Sequence, residues 1–407
     1  MTKRPQARTK PAPTLLGDAH NFGRRVTRRA GRILKPRTLL WEWLLLSADS
    51  PLRDCLAGAA EAEGLGRDAF EFLPTLGFFD SGAAVGGEVD EVRLQPLRSR
   101  SADTRRSLSA IVGRSLALFS WLGVADLHWE NLALGLNERG QIVFGPLDIE
   151  LILADLALPT ETKLLPDADP EYATICRHAC GVRRALPYLG KPLAAADLLV
   201  MAGAYLSTLA LLDRHAPTIA DVFLSLPNLR DEPLRVLLRG TGDYVRAATE
   251  PLWPPLLDAE AEQLARGDIP YFFRLYGRAG IHFYANRELT QVGRLPLRGD
   301  VPQLEPLLDL KRGLRSSSRK KLREAGLFTL LAAFDHPTLN GKHESEQLTL
   351  HFGARSLAVE LADGQELHSR RNLRALVSSV YLPCQCGEVE SVLVPQVSVC
   401  KVAAGSV

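Results

Sequence analysis

Apolar residues recur at helical spacing from Asp103 to Leu122, most densely in Ile111–Gly123 (IVGRSLALFSWLG), which predicts a long helix with a broad buried face. Just beyond it the period changes. Leu132-Ala133-Leu134 and Ile142-Val143-Phe144 read as two short strands, joined by the turn-forming Asn137-Glu138-Arg139-Gly140. Upstream, Arg32-Ile33-Leu34-Lys35-Pro36-Arg37 reads as the end of a strand, with Pro36 unable to donate to a ladder. Thr38 to Leu46 (TLLWEWLLL) predicts a helix N-capped by Thr38, residues 54–76 a helix giving way to a loop near Pro74, Gly82–Gly87 a turn, and Val92-Arg93-Leu94 a strand. Downstream, prolines at 159, 166, 170, 187 and 192 break residues 159–195 into loops around one short helix at Ala173–Ala179. Ala194–Leu212 predicts a buried helix, and Asp258–Arg266 another that leads into Gly267-Asp268-Ile269-Pro270-Tyr271-Phe272-Phe273. There is no internal repeat.

Near residue 300 the character shifts. Lys311–Arg323 (KRGLRSSSRKKLR) is a basic run, most simply a solvated face. Strands are predicted at Gln347–Phe352, Ser356–Leu361 and Ser391–Cys400, with a turn at Ala362-Asp363-Gly364. The expected organisation is therefore a disordered basic tail at 1–13, a main domain at 14–295, and a small β-containing appendage at 296–407.

Composition narrows the class. Of 407 residues, 46% are apolar and 24% charged, ordinary values for a globular protein with a sizeable core. No apolar run reaches the ~18–20 residues of a membrane span, and no apolar segment follows the N-terminal charges as in a secretory signal, so a cytoplasmic protein without a membrane partner is expected. The net charge of +2 hides an asymmetry: residues 1–37 hold eleven Lys/Arg against Asp18 alone, and the other 370 residues sum to −8. Such a segment attracts phosphates or an acidic peptide; nucleic acid is disfavoured because the remainder is acidic. The six cysteines include Cys176-Arg177-His178-Ala179-Cys180 and the set Cys384, Cys386 and Cys400. Neither cluster has paired C-x-x-C spacing, which favours buried thiols over zinc ligands.

The chemistry concentrates at Asp126-Leu127-His128-Trp129-Glu130-Asn131, with Asp148-Ile149-Glu150 starting seventeen residues after the asparagine. These polar residues flank the predicted hairpin, where they can converge. Phosphoryl transfer requires such a set: one carboxylate near the attacking hydroxyl, with an asparagine and a second carboxylate for magnesium on the phosphates. The plainer alternative is a loop Asp and an unrelated hairpin Asp. Near the N-terminus, Gly17-Asp18-Ala19-His20-Asn21-Phe22-Gly23 has a backbone suited to turning around an anion. Lys35 ends a strand, where kinase-like enzymes place the cation that neutralises ATP phosphates, although a basic edge strand would look the same.

In this order, the stretches GDAHNFGRRV (17–26), ILKPRTL (33–39), GRSLALFSWLGVADLHWENLALG (113–135), PLDIE (146–150) and GDIPYF (267–272) resemble the dehydratase domain of class II lanthipeptide synthetases across roughly residues 14–290. Those enzymes phosphorylate Ser/Thr of a ribosomal precursor peptide and eliminate the phosphate, leaving dehydroamino acids. The resemblance implies an α+β, lipid-kinase-like, two-lobed fold and ATP and Mg2+ as cofactors. Lys35 would contact ATP phosphate, with Arg37 near it. Asp126 and His128 would serve phosphorylation; Asn131 and Asp148 would bind magnesium, and Glu150 would shape that site. Asp18 and His20 match residues used in the same pocket, with a larger part in elimination, for which Arg24, Arg37 and Arg266 are candidate cations.

Three departures qualify the match. Phe273 stands where the family carries a threonine that participates in elimination, and Arg266 is the one nearby match for an expected arginine. Most of the long N-terminal region of full synthetases is missing. Nothing resembles their zinc-dependent cyclase, so a separate cyclase or other tailoring enzyme would act as a partner. The leading expectation is a peptide dehydratase. The alternatives are a kinase-only enzyme on a peptide or small molecule, and an inactive module that binds the precursor peptide.

Overall fold

A computed structural model describes residues 13–80, 86–156, 158–166, 180–190, 195–247, 249–252 and 255–296, and beyond these the short stretches 307–308, 310, 322–323, 326–327, 329–330, 348–352, 357–361, 366–369 and 397–401. The expected tail, the helix at 173–179, most of the basic run at 311–323, and Cys176, Cys384 and Cys386 lie outside the described residues.

In chain order the elements are β1 (Thr14–His20), β2 (Arg24–Arg29), β3 (Arg32–Lys35), α1 (Leu40–Leu46), α2 (Pro51–Ala62), β4 (Phe78–Phe79), β5 (Gly87–Asp90), α3 (Ala102–Leu122), β6 (Leu132–Leu136) and β7 (Ile142–Pro146). There follow α4 (Ala195–Arg214), α5 (Ala216–Leu224), β8 (Pro233–Val236), α6 (Thr241–Arg246), α7 (Asp258–Ala265), β9 (Phe272–Leu275), β10 (His282–Tyr284), β11 (Val292–Arg294), β12 (Leu348–Phe352), β13 (Leu357–Leu361), β14 (Glu366–Ser369) and β15 (Val397–Lys401). The protein is thus mixed α and β, with largely antiparallel sheets, consistent with the expected α+β class.

Two compact units form from interleaved segments. The first comprises Met1–Ala48, Thr75–Val92 and Asn228–Leu304; the second comprises Asp49–Pro74, Arg93–Pro227 and Glu305–Val407. The first unit carries a sheet of order β1-β2-β3-β5-β4 and another of order β11-β10-β9-β8. Strand alternation explains its core. In β9, Phe272 packs with Val236, Leu238, Ile281 and Leu295, while Phe273 and Leu275 turn the other way to join Tyr271, Tyr284 and Leu289. The expected strand at Val92–Leu94 is corrected to Gly87–Asp90, because residues 87–90 find a partner in Arg32–Lys35 of β3. Gln95 makes only an isolated bridge to Leu136. The N-cap position of α1 falls at Leu39, one residue after Thr38, although the Thr38 hydroxyl accepts from Leu40 N at 3.3 Å. The helix begins at Leu40 with no cap from the Leu39 side chain, and the Thr38 hydroxyl donates to Glu232.

The second unit is built on α3 and α4. Ser101 caps α3 by accepting from Thr104 N, and Gly123 ends it in the left-handed region. At Gly113 the two helices lie so close that a Cβ would sit 2.2 Å from the Met201 carbonyl oxygen. Gly113→Ala gains about 1 kcal/mol of helix propensity, but it forces two backbones apart, and overpacking costs about 1–3 kcal/mol or more. Net destabilisation is expected, read as a lower denaturant midpoint; an unchanged or raised midpoint would show that the crossing gives way easily. The hairpin β6–β7 forms as expected, with Asn137 Oδ1 accepting from Arg139 N and Gln141 N to close its turn. Strands β12, β13 and β14 pair antiparallel, while β15 lies parallel to β12. No helix among the described residues is long and apolar enough to cross a membrane.

Candidate active site

In the second unit, the segment from α3 to β6 is held by its apolar residues. Val124 and Leu127 are fully buried, and the backbone bonds Ala125 N to Leu151 O (3.1 Å) and Leu127 N to Thr162 O (2.9 Å) fix it on both sides. Between these anchors Asp126 adopts φ +63°, a left-handed conformation that short polar side chains tolerate best. His128 forms an isolated bridge with Cys180 and leads into a short helical turn, Trp129–Asn131.

Hairpin register then does the assembling. Leu132 pairs with Pro146, and one step further out Leu147 N donates to Asn131 O at 2.8 Å, so Asp148 emerges beside the Asp126–Asn131 segment. Asn131 Nδ2 donates to the Asp126 carbonyl at 2.9 Å. Because only the NH2 group can donate, this bond leaves Asn131 Oδ1 as the acceptor oxygen of the side chain. Asp126, His128, Asn131, Asp148 and Glu150 are all half-buried, with Ile149 anchoring the last two from inside. Asparagine and carboxylate oxygens are the hard donors magnesium takes when nucleotide phosphates complete its shell, so Asn131, Asp148 and Glu150 are of the right chemical type; among the described residues no group of three or more His, Cys, Asp or Glu side chains comes together as a metal site. Sequence reasoning missed Lys163, whose Nζ lies 3.1 Å from Asp126 Oδ1. With side chains 44% and 27% exposed, that pair adds little to stability. Its effect is to set a cation beside the candidate base, and its 37-residue separation gave no signal.

In the first unit, Lys35 ends β3 and is buried. Its Nζ lies 2.9 Å from both carboxylate oxygens of Glu42 on α1, and Arg37 NH1 lies 2.8 Å from Glu42 Oε1. Glu42 is completely buried. Gly86, at φ +107°, passes so close to the strand end that a Cβ would fall 2.4 Å from Lys35 O. The signal for Glu42 was present in the sequence. It is the lone charge within the apolar LWEWLLL, and a carboxylate buried there requires a cation.

The glycine-rich segment near the N-terminus turns around an anion from within the protein. Asn21, Phe22 and Gly23 have φ of +48°, +69° and +80°. The amides of Phe22 and Gly23 donate to Asp268 Oδ2 (2.8 Å) and Oδ1 (2.7 Å). Arg266 Nε donates to the same carboxylate at 2.9 Å, and its guanidinium lies over the Phe22 ring. His20 Nδ1 lies 2.7 Å from Ile269 O, and its ring meets Tyr271 edge-on. Arg24 donates to Arg287 O, and Asp18 is exposed in an irregular stretch of β1 where the pairing with β2 shifts register. So Asp18, His20, Arg24, Lys35, Arg37 and Arg266 belong to the first unit, and Asp126, His128, Asn131, Asp148 and Glu150 to the second.

Phe273 is buried 4.9 Å, ring to ring, from Tyr284. Burial, then the nearby Glu232, pushes the Tyr284 phenol up to about 12. His282, tilted against Phe273, is held below the usual histidine range by burial and then by the Arg294 cation. Both groups are therefore neutral at pH 7, so the rings packed against Phe273 carry no charge, while its cross-strand partner Arg235 sets a guanidinium over Tyr271.

Compared with known families and curated proteins, the chain matches no family model and no curated sequence.

Proposed function

We propose that this protein transfers the γ-phosphoryl group of ATP, with magnesium, to Ser/Thr hydroxyls of a ribosomally made precursor peptide, and that phosphate elimination follows. The observation that carries the reading is the tie of Asn131 to the Asp126 carbonyl and to the amide of Leu147, the residue before Asp148, at the open end of the β6–β7 hairpin. Kinase-type catalysis needs this donor set. Magnesium, when bound by Asn131 and Asp148 with Glu150 beside them, would neutralise phosphate charge. Asp126 would accept the hydroxyl proton as the substrate oxygen attacks the γ-phosphorus and the bond to the bridging oxygen breaks, releasing ADP. Lys163, 3.1 Å from Asp126, would set a cation beside that carboxylate. The buried Lys35–Glu42 pair supports the same reading, since protein kinases pair a strand lysine with a helix glutamate beside the nucleotide. The test is incubation with ATP, magnesium and Ser/Thr peptides, followed by mass spectrometry. Phosphopeptide or dehydrated peptide supports the reading; neither product across a broad peptide panel opposes it.

For elimination, a base removes the α-proton and the Cβ–O electron pair leaves with phosphate. His20 is the candidate base. His20→Ala is expected to accumulate phosphorylated peptide at the expense of dehydrated peptide, and unchanged dehydration would make His20 structural. One observation favours a second reading, a kinase-only enzyme. Phe273, whose side chain has no hydroxyl, is buried among Tyr271, Tyr284 and Leu289 where the resemblance calls for threonine. Under that reading the wild type itself ends at phosphopeptide.

A further inference from the structure

We infer that Asp268 is a positioning residue for His20, holding its imidazole as the Nδ1–H tautomer so that Nε2 carries the lone pair. Two segments separated by more than 240 residues are locked together here at four points. The Asp268 carboxylate, fully buried, receives the amides of Phe22 and Gly23 on its two oxygens. The next residue, Ile269, donates its amide to Ala19 O at 2.8 Å and offers its carbonyl to His20 Nδ1 at 2.7 Å. A carbonyl can only accept, so the neutral ring carries its proton on Nδ1.

The clamp brackets His20 on both sides, Ala19 before it and Phe22 after it. Three successive positive-φ residues, two of them not glycine, are costly for a free chain. The charge-assisted bonds to Asp268, reinforced by Arg266, offset that cost and keep the Ile269 carbonyl opposite the imidazole. The Asp268→Asn side chain has the same shape but offers one acceptor oxygen, sets an NH2 against the second amide and leaves Arg266 with Glu262 alone. The turn would then relax and the His20–Ile269 bond would loosen. That a fixed Nε2 serves as the elimination base rests on the function proposed above; the tautomer itself does not.

Nitrogen-detected NMR of the imidazoles, on the full chain at a pH well above the usual histidine range, reads the tautomer directly without any substrate. Wild-type protein is expected to show His20 as a single Nδ1–H tautomer. Asp268→Asn is expected to give a mixture with loss of the downfield Phe22 and Gly23 amide signals. Glu262→Gln, which touches Arg266 without touching Asp268, is expected to leave the tautomer unchanged. A wild-type Nε2–H tautomer or an even mixture would overturn the inference even if Asp268→Asn fails to fold. So would a folded Asp268→Asn that keeps the wild-type tautomer. With an active peptide in hand, the same variant should slow elimination and alter its pH profile while phosphorylation continues. A protein that phosphorylates nothing would remove the proposed function but leave the tautomer result standing.

Discussion

Asp148→Ala is expected to lower ATP-dependent phosphoryl transfer by roughly a thousandfold or more while the fold persists. A bound divalent ion contributes several kcal/mol of transition-state stabilisation, and every 1.36 kcal/mol is about a factor of ten. Asp148 is half-buried on a segment whose apolar anchors, Ile149 and Ile152, remain in place in the variant. The local structure should therefore survive, with an unchanged far-ultraviolet spectrum and a denaturant midpoint close to wild type. Activity within threefold of wild type would remove Asp148 from the metal site. Loss of activity accompanied by unfolding would instead give it a structural role.

The second large effect belongs to stability. Glu42→Gln leaves Lys35 and Arg37 buried against a neutral amide, and breaking a buried ion pair from one side costs about 3–5 kcal/mol. The denaturant midpoint should fall accordingly. Lys35→Met separates structure from function. It removes one of two cations and leaves Glu42 paired with Arg37, so the expected loss of stability is smaller while the loss of phosphoryl transfer is severe. A stable, fully active Lys35→Met protein would make the cluster purely structural.

What the sequence made legible follows from the range of the interactions. The predicted helix at Asp103–Leu122 and the hairpin around Asn137–Gly140 rest on local period and turn chemistry, and the structure reproduces them within two residues. Likewise Asp126, Asn131 and Leu147, the residue before Asp148, meet because hairpin register joins residues close in sequence. The strand at Gly87–Asp90 was misplaced because its partner β3 lies more than fifty residues earlier. Nothing local distinguishes Glu88-Val89-Asp90 from Val92-Arg93-Leu94. Asp268 was visible as part of GDIPYF, but its task was hidden, since the amides it binds belong to Phe22 and Gly23. The turn looked like an anion site, and the anion proved to be a side chain from the far end of the first unit. Lys163 was missed for the same reason.

The central claim, a magnesium–nucleotide site that depends on Asp148, is tested most directly by thermal unfolding of wild type and Asp148→Ala with ATP and magnesium together or ATP alone. A ligand at a hundred times its dissociation constant stabilises the native state by about 2.7 kcal/mol. The account predicts a clear upward shift for wild type that requires magnesium and disappears in Asp148→Ala. No shift in wild type, or an equal shift in both proteins, would contradict it.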